Sequence, residues 1–514
     1  MSSYASSNTS RRESVAGRPQ IIIALKDQED SWVATFSTLD KIEGMVYVTC
    51  PVNTPIEDIT INFIGRTKTS HERLTSSTMV SGRSEASHQF LRLAQPISST
   101  ALPQDRILEA GKTYEFEFLF VVPHQLLPRV CRHSTSGSTV HEEHTKLPPS
   151  FGDKSVAGRG NTLLDDLSPE MSRISYAITA TLLEPKKSDA VFSHQPVSES
   201  RKVRILPATE ENPPITTEGP TSDYVMRVEK DIRKGMFKGK LGRLVVEAVQ
   251  PKALRIPSHL SDSEAPESTF VTVNARFDPV DENSTYPSLG SVNSRLKVNN
   301  FFATCARSSL PSKNDTRWDL SQGLHVESIN LASRCMGNTV WDWNPDNEST
   351  SESLRRSSVL SSSSGLSIIP EPSKKYRGKG YWTASIVVPI SLPTCKAWIP
   401  TFHTCLVSRT YSLGIHVGLN SGGLGSGMDL KLPIQLTSEG NPASLVSGRA
   451  SLSAQEQAFE AMAADDFFAP RTISPLHASL AGRSSIGHRS DLDSELPPEY
   501  NAFSSSRNRA IAVA

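Results

Sequence analysis

The segment DLDSELPPEY, residues 491–500, contains residues whose types and spacing fit a defined binding chemistry. Pro497 and Pro498 are held near the polyproline II conformation, so docking into an aromatic groove costs little ordering entropy. Tyr500 follows on the same face with a hydroxyl that can form a hydrogen bond, whereas Glu499 is a spacer that points away. The P-P-x-Y spacing therefore predicts a ligand for a WW domain, with Pro497, Pro498 and Tyr500 as its contact residues.

Catalytic and metal-binding motifs fail their spacing tests. The sequence HEEH, residues 141–144, resembles a zinc-protease helix, but H-E-x-x-H needs its second His four residues after the first, and here the interval is three. The neighbouring Ser, Thr and Gly residues favour a solvated loop there. The sequence GMFKGKL lacks one spacer of a phosphate-binding loop, and Leu241 replaces the residue that would hold magnesium. We therefore predict no catalytic residue, no metal site and no cofactor, and rank an enzyme as the least favoured class.

Charge and cysteine usage narrow the possible partners. Lys plus Arg and Asp plus Glu each total 54, so a neutral chain gives no reason to expect nucleic acid as a partner. The six cysteines contain no C-x-x-C pair, and we interpret them as free thiols that mostly pack as small apolar side chains. No apolar run approaches a signal peptide or a transmembrane segment in length. We expect a cytoplasmic protein that reaches the plasma membrane and endosomes only through partners.

Alternating apolar and polar residues predict many short strands. Phe116, Phe118 and Phe120 alternate with glutamates in YEFEFLFVVP, and RISYAITATLL and DITINFIGRT follow the same period of two. A second set of such segments follows Lys230 and ends with MDLKLPIQL, in which Pro433 indicates an edge strand or a bulge. Strands without intervening amphipathic helices favour β-sandwiches.

Composition divides the chain into two all-β sandwich domains in tandem, with long disordered loops and tails. A Pro-, Glu- and Thr-rich stretch marks the junction, and a Ser-rich stretch interrupts the second domain. We expect a disordered arm at 1–19, an N-terminal sandwich at 20–207, a linker at 208–222, a C-terminal sandwich at 223–437 with a Ser-rich insertion at 344–375, and a disordered tail at 438–514. Within the tail, a capping box at Ser453 and Glu456 predicts a short amphipathic helix over 453–468, either docked on the sandwiches or transient.

Several of these segments resemble arrestin-like proteins. EGMVYVTCPVNTPIEDITINFIGRTKT is similar to the opening strands of an arrestin-like N-terminal domain, and GKTYEFEFLFVVP follows it as in that family. LPPSFGD and DDLSPEMSRISYAITATL resemble fungal alpha-arrestins in particular. YSLGIHVGL and LKLPIQL resemble the arrestin C-terminal domain, so the resemblance covers about residues 20–437 and is strongest in the N-terminal half.

The resemblance implies an adaptor without enzymatic activity. Its two arrestin-like sandwiches would bind cytosolic segments of membrane transporters or receptors, and its P-P-x-Y motif would recruit a HECT-type ubiquitin ligase, so that the cargo is ubiquitinated and endocytosed. The alternative is a cargo-sorting scaffold with the same sandwiches that acts without a ligase. Cargo downregulation that survives Tyr500→Ala would favour the scaffold.

Two groups of residues are candidates for modification. Lys230, Lys234, Lys238 and Lys240 form the densest lysine group near the start of the second domain, either as ubiquitin acceptors or as a solvated positive edge. Ser14 and Ser358 each follow an Arg-Arg pair at the spacing that basophilic kinases favour. A phosphoserine at 358 would be a site for a phosphoserine-binding adaptor.

Overall fold

The structure is a computed structural model, and the regular secondary structure of its described part is almost entirely β-strand. It describes residues 18–26, 33–72, 82–185, 196–213, 223–235, 238–261, 266–281, 284–345, 369–374, 376, 378, 380–420 and 427–443.

The first twelve strands form what we call the N-terminal sandwich. They are β1 (Gln20–Leu25), β2 (Thr35–Phe36), β3 (Lys41–Thr49), β4 (Thr54–Pro55), β5 (Asp58–Glu72), β6 (Arg83–Gln95), β7 (Ile107–Leu108), β8 (Thr113–Val121), β9 (Gly158–Arg159), β10 (Thr162–Leu163), β11 (Ser172–Leu183) and β12 (Val197–Ile205). A three-stranded sheet in the order β1-β3-β8 packs on a five-stranded sheet in the order β2-β12-β11-β5-β6. The short strands form the pairs β4–β7 and β9–β10.

Aromatic side chains fill the space between these two sheets. The ring centroid of Phe63 in β5 lies 5.8 Å from that of Tyr176 in β11 and 5.9 Å from that of Phe120 in β8, across the sandwich. Phe116 and Phe118 are buried beside them, while Glu115 and Glu117 of the same strand are exposed. The period-two alternation predicted for β8 is thus confirmed, because one face of the strand meets the core and the other meets water.

The remaining twelve strands form what we call the C-terminal sandwich. They are β13 (Arg227–Gly235), β14 (Lys238–Ala248), β15 (Leu254–Ile256), β16 (Thr269–Pro279), β17 (Leu289–Ala303), β18 (Gln322–Cys335), β19 (Asp342–Pro345), β20 (Gly380–Ile390), β21 (Phe402–His403), β22 (Val407–Leu419), β23 (Gly427–Ile434) and β24 (Leu436–Ser438). One sheet has the order β13-β14-β16-β20-β19, and the other has the order β18-β17-β22-β21 with β23 also paired to β22. Strands β15 and β24 pair in parallel.

The edge position predicted from Pro433 agrees with the pairing of β23. That strand pairs along its length with β22, and Pro433 lies opposite Ser412. On its other side, the described residues contribute a single bridge, between Lys431 and Val225. The missing N–H of Pro433 therefore interrupts no second ladder.

Helices are short in the described part of the chain. They are α1 (Ser138–Thr145), α2 (Asp315–Trp318) and two 3₁₀ turns at Ser99–Ala101 and Pro128–Val130. Helix α1 contains the HEEH sequence, so the expectation of a solvated loop there is wrong: Val140, His144 and Thr145 give this polar helix a buried face. No helix of the described residues is both long enough and apolar enough to span a bilayer.

The two sandwiches share a buried junction. Ile399, Phe402, Leu406 and Val407 of the C-terminal half pack into the N-terminal core rather than into their own. The ring of Phe402 lies 5.6 Å from that of Phe151 in an edge-on arrangement. The segment that contains β21 and the start of β22 is therefore an apolar plug between the two sandwiches.

Candidate functional site

Most of the residues predicted to carry function lie outside the described part of the chain. This holds for the WW-ligand residues Pro497, Pro498 and Tyr500, for the candidate phosphorylation sites Ser14 and Ser358, and for the predicted helix over 453–468. The fold therefore leaves those predictions untested.

The four candidate acceptor lysines all belong to the hairpin formed by β13 and β14. Lys230 donates from Nζ to the carbonyl oxygen of Gly427 at 3.0 Å, and Lys240 forms a 2.8 Å ion pair with Asp231. The hydrogen bond from Lys240 lowers the pKa of the Asp231 carboxyl. Lys234 and Lys238 lie on the two strands, and their side chains lie outside the described set. The hairpin brings the four positions together, but Lys240 has the more exposed amine of the two that are described.

A groove of the C-terminal sandwich is lined by polar and cationic side chains of several strands. It encloses about 820 Å³ and lies on the outward face of β17, β18, β22 and β23. Alternate residues of these strands, among them Leu296, Leu413 and Leu432, face the core. The residues between them, including Arg295, Lys297, His416 and Lys431, line the groove. The strand alternation therefore gives the sheet one apolar face and one polar, concave face.

The groove is predominantly cationic. Its described lining includes three cationic side chains and one carboxylate. The cations are Arg295, Lys297 and Lys431, and the carboxylate is that of Asp429. Asp429 is paired, since its Oδ1 lies 2.8 Å from Nδ1 of His416. Arg295 donates from Nε to Oδ1 of Asn330 at 3.2 Å, which holds its guanidinium against β18. A concave surface with this charge attracts acidic segments.

The amine of Lys431, which lines the groove, is surrounded by other polar and aromatic groups. Its Nζ donates to the backbone carbonyl of Asp223 and lies 5.4 Å from the ring centroid of Tyr224. Burial, followed by repulsion from Lys313 and Lys297, lowers the pKa of Lys431 to about 8. The positive charge of Lys431 is therefore lost as pH rises through about 8.

The strands that form the groove are anchored at the junction between the sandwiches. Arg409 in β22 donates from Nη1 to the carbonyl oxygen of Asp166 at 2.7 Å, and its guanidinium carbon lies 4.7 Å from the ring centroid of Phe151. Asn300 in β17 donates to the carbonyl oxygen of Leu167 at 2.8 Å. Both contacts cross from the C-terminal strands to the N-terminal half, so they fix the direction of the groove relative to the other sandwich.

A cluster of cysteine and histidine side chains was not predicted. Cys131, His133, His144 and Cys405 present ligand atoms that all lie within 4.8 Å of one another. His144 is the second histidine of HEEH, and its partners come from outside that motif, so testing the motif alone could not find them. Of the six cysteines, Cys50, Cys131 and Cys405 are buried and the other three are exposed, so only half pack as expected.

Comparison with known proteins yields one family match. Residues 94–211 match the family model described as the Bul1 N terminus. The matched region runs from the end of β6 past β12 and includes α1, so it contains Cys131, His133 and His144 but neither Cys405 nor the groove. No curated protein matches the chain. The match falls in the half of the sequence whose resemblance to arrestin-like proteins is strongest.

Proposed function

We propose that this chain brings a HECT-type ubiquitin ligase to membrane transporters or receptors and promotes their ubiquitination and endocytosis. The match of residues 94–211 to the Bul1 N terminus supports an arrestin-related trafficking adaptor. The observation that carries the proposal is the motif Pro497-Pro498-Glu499-Tyr500 on the same chain as two arrestin-like sandwiches. An adaptor needs one surface for cargo and another for the ligase, and these two features supply them.

The ligase-binding half of the proposal rests on the physics of the motif. Two adjacent prolines preset the backbone for an aromatic groove, and the tyrosine hydroxyl adds one directional hydrogen bond. Asp491, Asp493 and Glu495 precede the motif and would speed its encounter with a basic WW surface.

The cargo-binding half is supported by the cationic groove of the C-terminal sandwich. Arg295, Lys297 and Lys431 favour an acidic cytosolic segment over a basic or apolar one. The groove lies on a sheet that is packed into the core on its other face, so its shape is largely preformed. We assign the cargo segment to this groove.

Recruitment, modification and regulation follow from the same proposal. The chain would act in the cytoplasm and reach the plasma membrane and endosomes through its cargo. Of the two acceptor lysines whose side chains are described, Lys240 is favoured because it is exposed, whereas Lys230 is half-buried. Phosphorylation at Ser14 or Ser358 would add negative charge and create a site for a phosphoserine-binding adaptor. Ser358→Ala should then blunt the response of cargo downregulation to a nutrient shift.

The decisive experiment compares two neighbouring substitutions in the motif. Tyr500→Ala should abolish binding of the full chain to recombinant WW domains of a HECT ligase and should stop cargo ubiquitination, whereas Glu499→Ala should leave both unchanged because the spacer faces away. Binding is measured by isothermal titration and ubiquitination by immunoblot of a surface transporter. If Tyr500→Ala binds WW domains as tightly as the unchanged chain, the ligase-recruiting role is excluded. If binding is lost but cargo is still removed from the surface, the chain acts as a sorting scaffold.

A further inference from the structure

Four potential metal ligands converge where the two sandwiches meet. The Sγ atom of Cys131 lies 3.2 Å from Nε2 of His133 and 3.6 Å from Nδ1 of His144. The Sγ atom of Cys405 completes a set in which every ligand atom lies within 4.8 Å of the others. We propose that Cys131, His133, His144 and Cys405 bind one Zn²⁺ ion tetrahedrally and that this ion ties the C-terminal sandwich to the N-terminal one.

The spacing of the ligand atoms suits zinc. Zn–S bonds of about 2.3 Å and Zn–N bonds of about 2.0 Å in a tetrahedron place a sulfur and a nitrogen about 3.5 Å apart. The two sulfur-to-nitrogen distances at Cys131, 3.2 and 3.6 Å, lie close to this value. Two thiolates and two imidazoles in tetrahedral array are a ligand set that selects zinc among the common divalent ions.

The backbone holds three of the ligands in two adjoining turns. Cys131 follows the 3₁₀ turn Pro128–Val130, and His144 lies in the last turn of α1. A hydrogen bond of 2.8 Å from the amide of Leu126 to the carbonyl of Thr145 ties these two stretches together. The set Cys131, His133 and His144 is thus fixed by local structure before the fourth ligand is added.

Cys405 is presented by a tight turn between β21 and β22. The Thr404 hydroxyl oxygen accepts from the amide of Val407 at 2.9 Å, and the Thr404 amide donates to the carbonyl of Val407 at 2.8 Å. Between these two anchors, Cys405 and Leu406 form the tip of the turn, and both are buried. A cysteine at the tip of a hydrogen-bonded turn is a geometry in which a metal-binding thiolate is held without strain.

The orientation of His133 is an independent observation that points to a metal. Its Nδ1 lies 3.1 Å from the carbonyl oxygen of Ser134, which can only accept a hydrogen bond. The proton of the neutral ring must therefore be on Nδ1, so the lone pair of Nε2 faces Cys131 and the centre of the cluster. Metal-binding histidines characteristically donate their second ring N–H to a carbonyl in this way.

Charge balance also favours an ion at this position. Zinc would displace the two thiol protons to solvent, and the resulting unit of Zn²⁺, two thiolates and two neutral imidazoles carries no net charge. A neutral unit can be buried without a further counter-ion.

The ion would act as a cross-link between the two halves. Three ligands belong to the segment 131–144, whereas Cys405 belongs to the turn whose neighbours Phe402, Leu406 and Val407 pack into the N-terminal core. The bond through zinc therefore joins the same elements that the apolar plug joins. Strand β22, which forms part of the groove, starts two residues after Cys405.

The first test measures metal in the full chain, purified under reducing conditions from cells grown with zinc. Mass spectrometry of the metal content should find about one zinc per chain, and exchange for Co²⁺ should give the visible absorption of tetrahedral cobalt with thiolate charge-transfer bands. Cys405→Ser and His144→Asn should each lose the metal. Cys395→Ser, an exposed cysteine ten residues away, and His141→Gln, in the same helix, are the matched controls and should keep it.

Several results would overturn the proposal. A folded chain that binds neither zinc nor cobalt would do so. So would a disulfide between Cys131 and Cys405 that persists in the protein purified under reducing conditions, or equal zinc in Cys405→Ser and the unchanged chain. A chelator provides a readout that does not depend on the folding of a variant. It should lower the melting temperature of the unchanged chain and increase hydrogen exchange at 124–146 and 399–407. Adding Zn²⁺, but not Mg²⁺, should reverse both effects. Because this test uses no ligase or cargo, its outcome is independent of the adaptor function.

Discussion

Arg409 donates from Nε to Oδ1 of Asn300 across 2.7 Å at the base of the junction between the sandwiches. Both side chains are almost fully buried, with exposed fractions of 1% and 0%. A second pair of the same residue types, Arg295 and Asn330, spans 3.2 Å on the exposed face of the same sheet. The two pairs have the same chemistry and differ in burial, so they allow the effect of burial to be measured directly.

Asn300→Ala should destabilise the protein by about 2–4 kcal/mol, because it leaves a buried guanidinium without one of its acceptors and the Leu167 carbonyl without its donor. Asn330→Ala should change stability by less than about 0.5 kcal/mol, since water replaces the lost contact. Urea unfolding followed by tryptophan fluorescence measures both. Equal midpoints for the two variants would show that the buried pair contributes nothing to stability.

Phe63 provides the corresponding test inside the N-terminal core. Phe63→Ala should destabilise the protein by about 3–5 kcal/mol, because it removes a fully buried ring that contacts both Tyr176 and Phe120. Phe270, which is 63% exposed on β16, is the matched control, and Phe270→Ala should have little effect. Far-UV circular dichroism in urea follows the loss of strand. A small effect at Phe63 would mean that the two sheets repack around the cavity.

The strands that the sequence predicts are those with a strong period of two. In β8 and β11 most of the alternate residues are apolar, from Phe116 to Phe120 and from Ile174 to Leu182, so the pattern alone identifies the buried face. The first half of strand β12, VSESRK, contains no large apolar residue except its first, so the period-two pattern does not identify this strand. Its position depends instead on pairing with β11, from Tyr176 opposite Val203 to Leu182 opposite Val197, which no local pattern encodes.

The Cys/His cluster was missed for a related reason. Cys131 and Cys405 are 274 positions apart, and only the packing of the β21–β22 turn into the other sandwich brings their side chains together. The groove was missed because its cations lie on four strands whose order is set by tertiary pairing. By contrast, the P-P-x-Y motif needs no fold to be recognised, since all its contact residues lie within four positions.

The groove can be tested with one charge reversal. Lys297→Glu should weaken the binding of a short fluorescein-labelled peptide of Asp, Glu and Ser by about tenfold, because it turns an attraction in the lining of the groove into a repulsion. Lys252→Glu, on an exposed lysine of the same sandwich outside the groove, should leave the affinity unchanged. Fluorescence anisotropy measures both, and raising the salt concentration should weaken the unchanged chain's binding. Equal losses in the two variants would show that net charge, rather than the groove, governs the binding.

The pH dependence of the same binding should report Lys431. Its pKa of about 8 lies below the usual value of 10.5, so the folded chain loses this proton, and the groove loses a positive charge, as pH rises through about 8. Between these two values the unfolded chain binds more protons than the folded one, so stability should rise with pH in that window while peptide affinity falls.

From pH 7 to pH 9 we expect the affinity of the unchanged chain for the acidic peptide to decrease about twofold to fivefold, the effect of one partly screened charge. Lys431→Arg stays protonated throughout, so its affinity should change little over the same range. Anisotropy titrations at constant ionic strength measure both chains. A parallel decrease in the two would assign the pH dependence to a different group and would place Lys431 outside the binding surface.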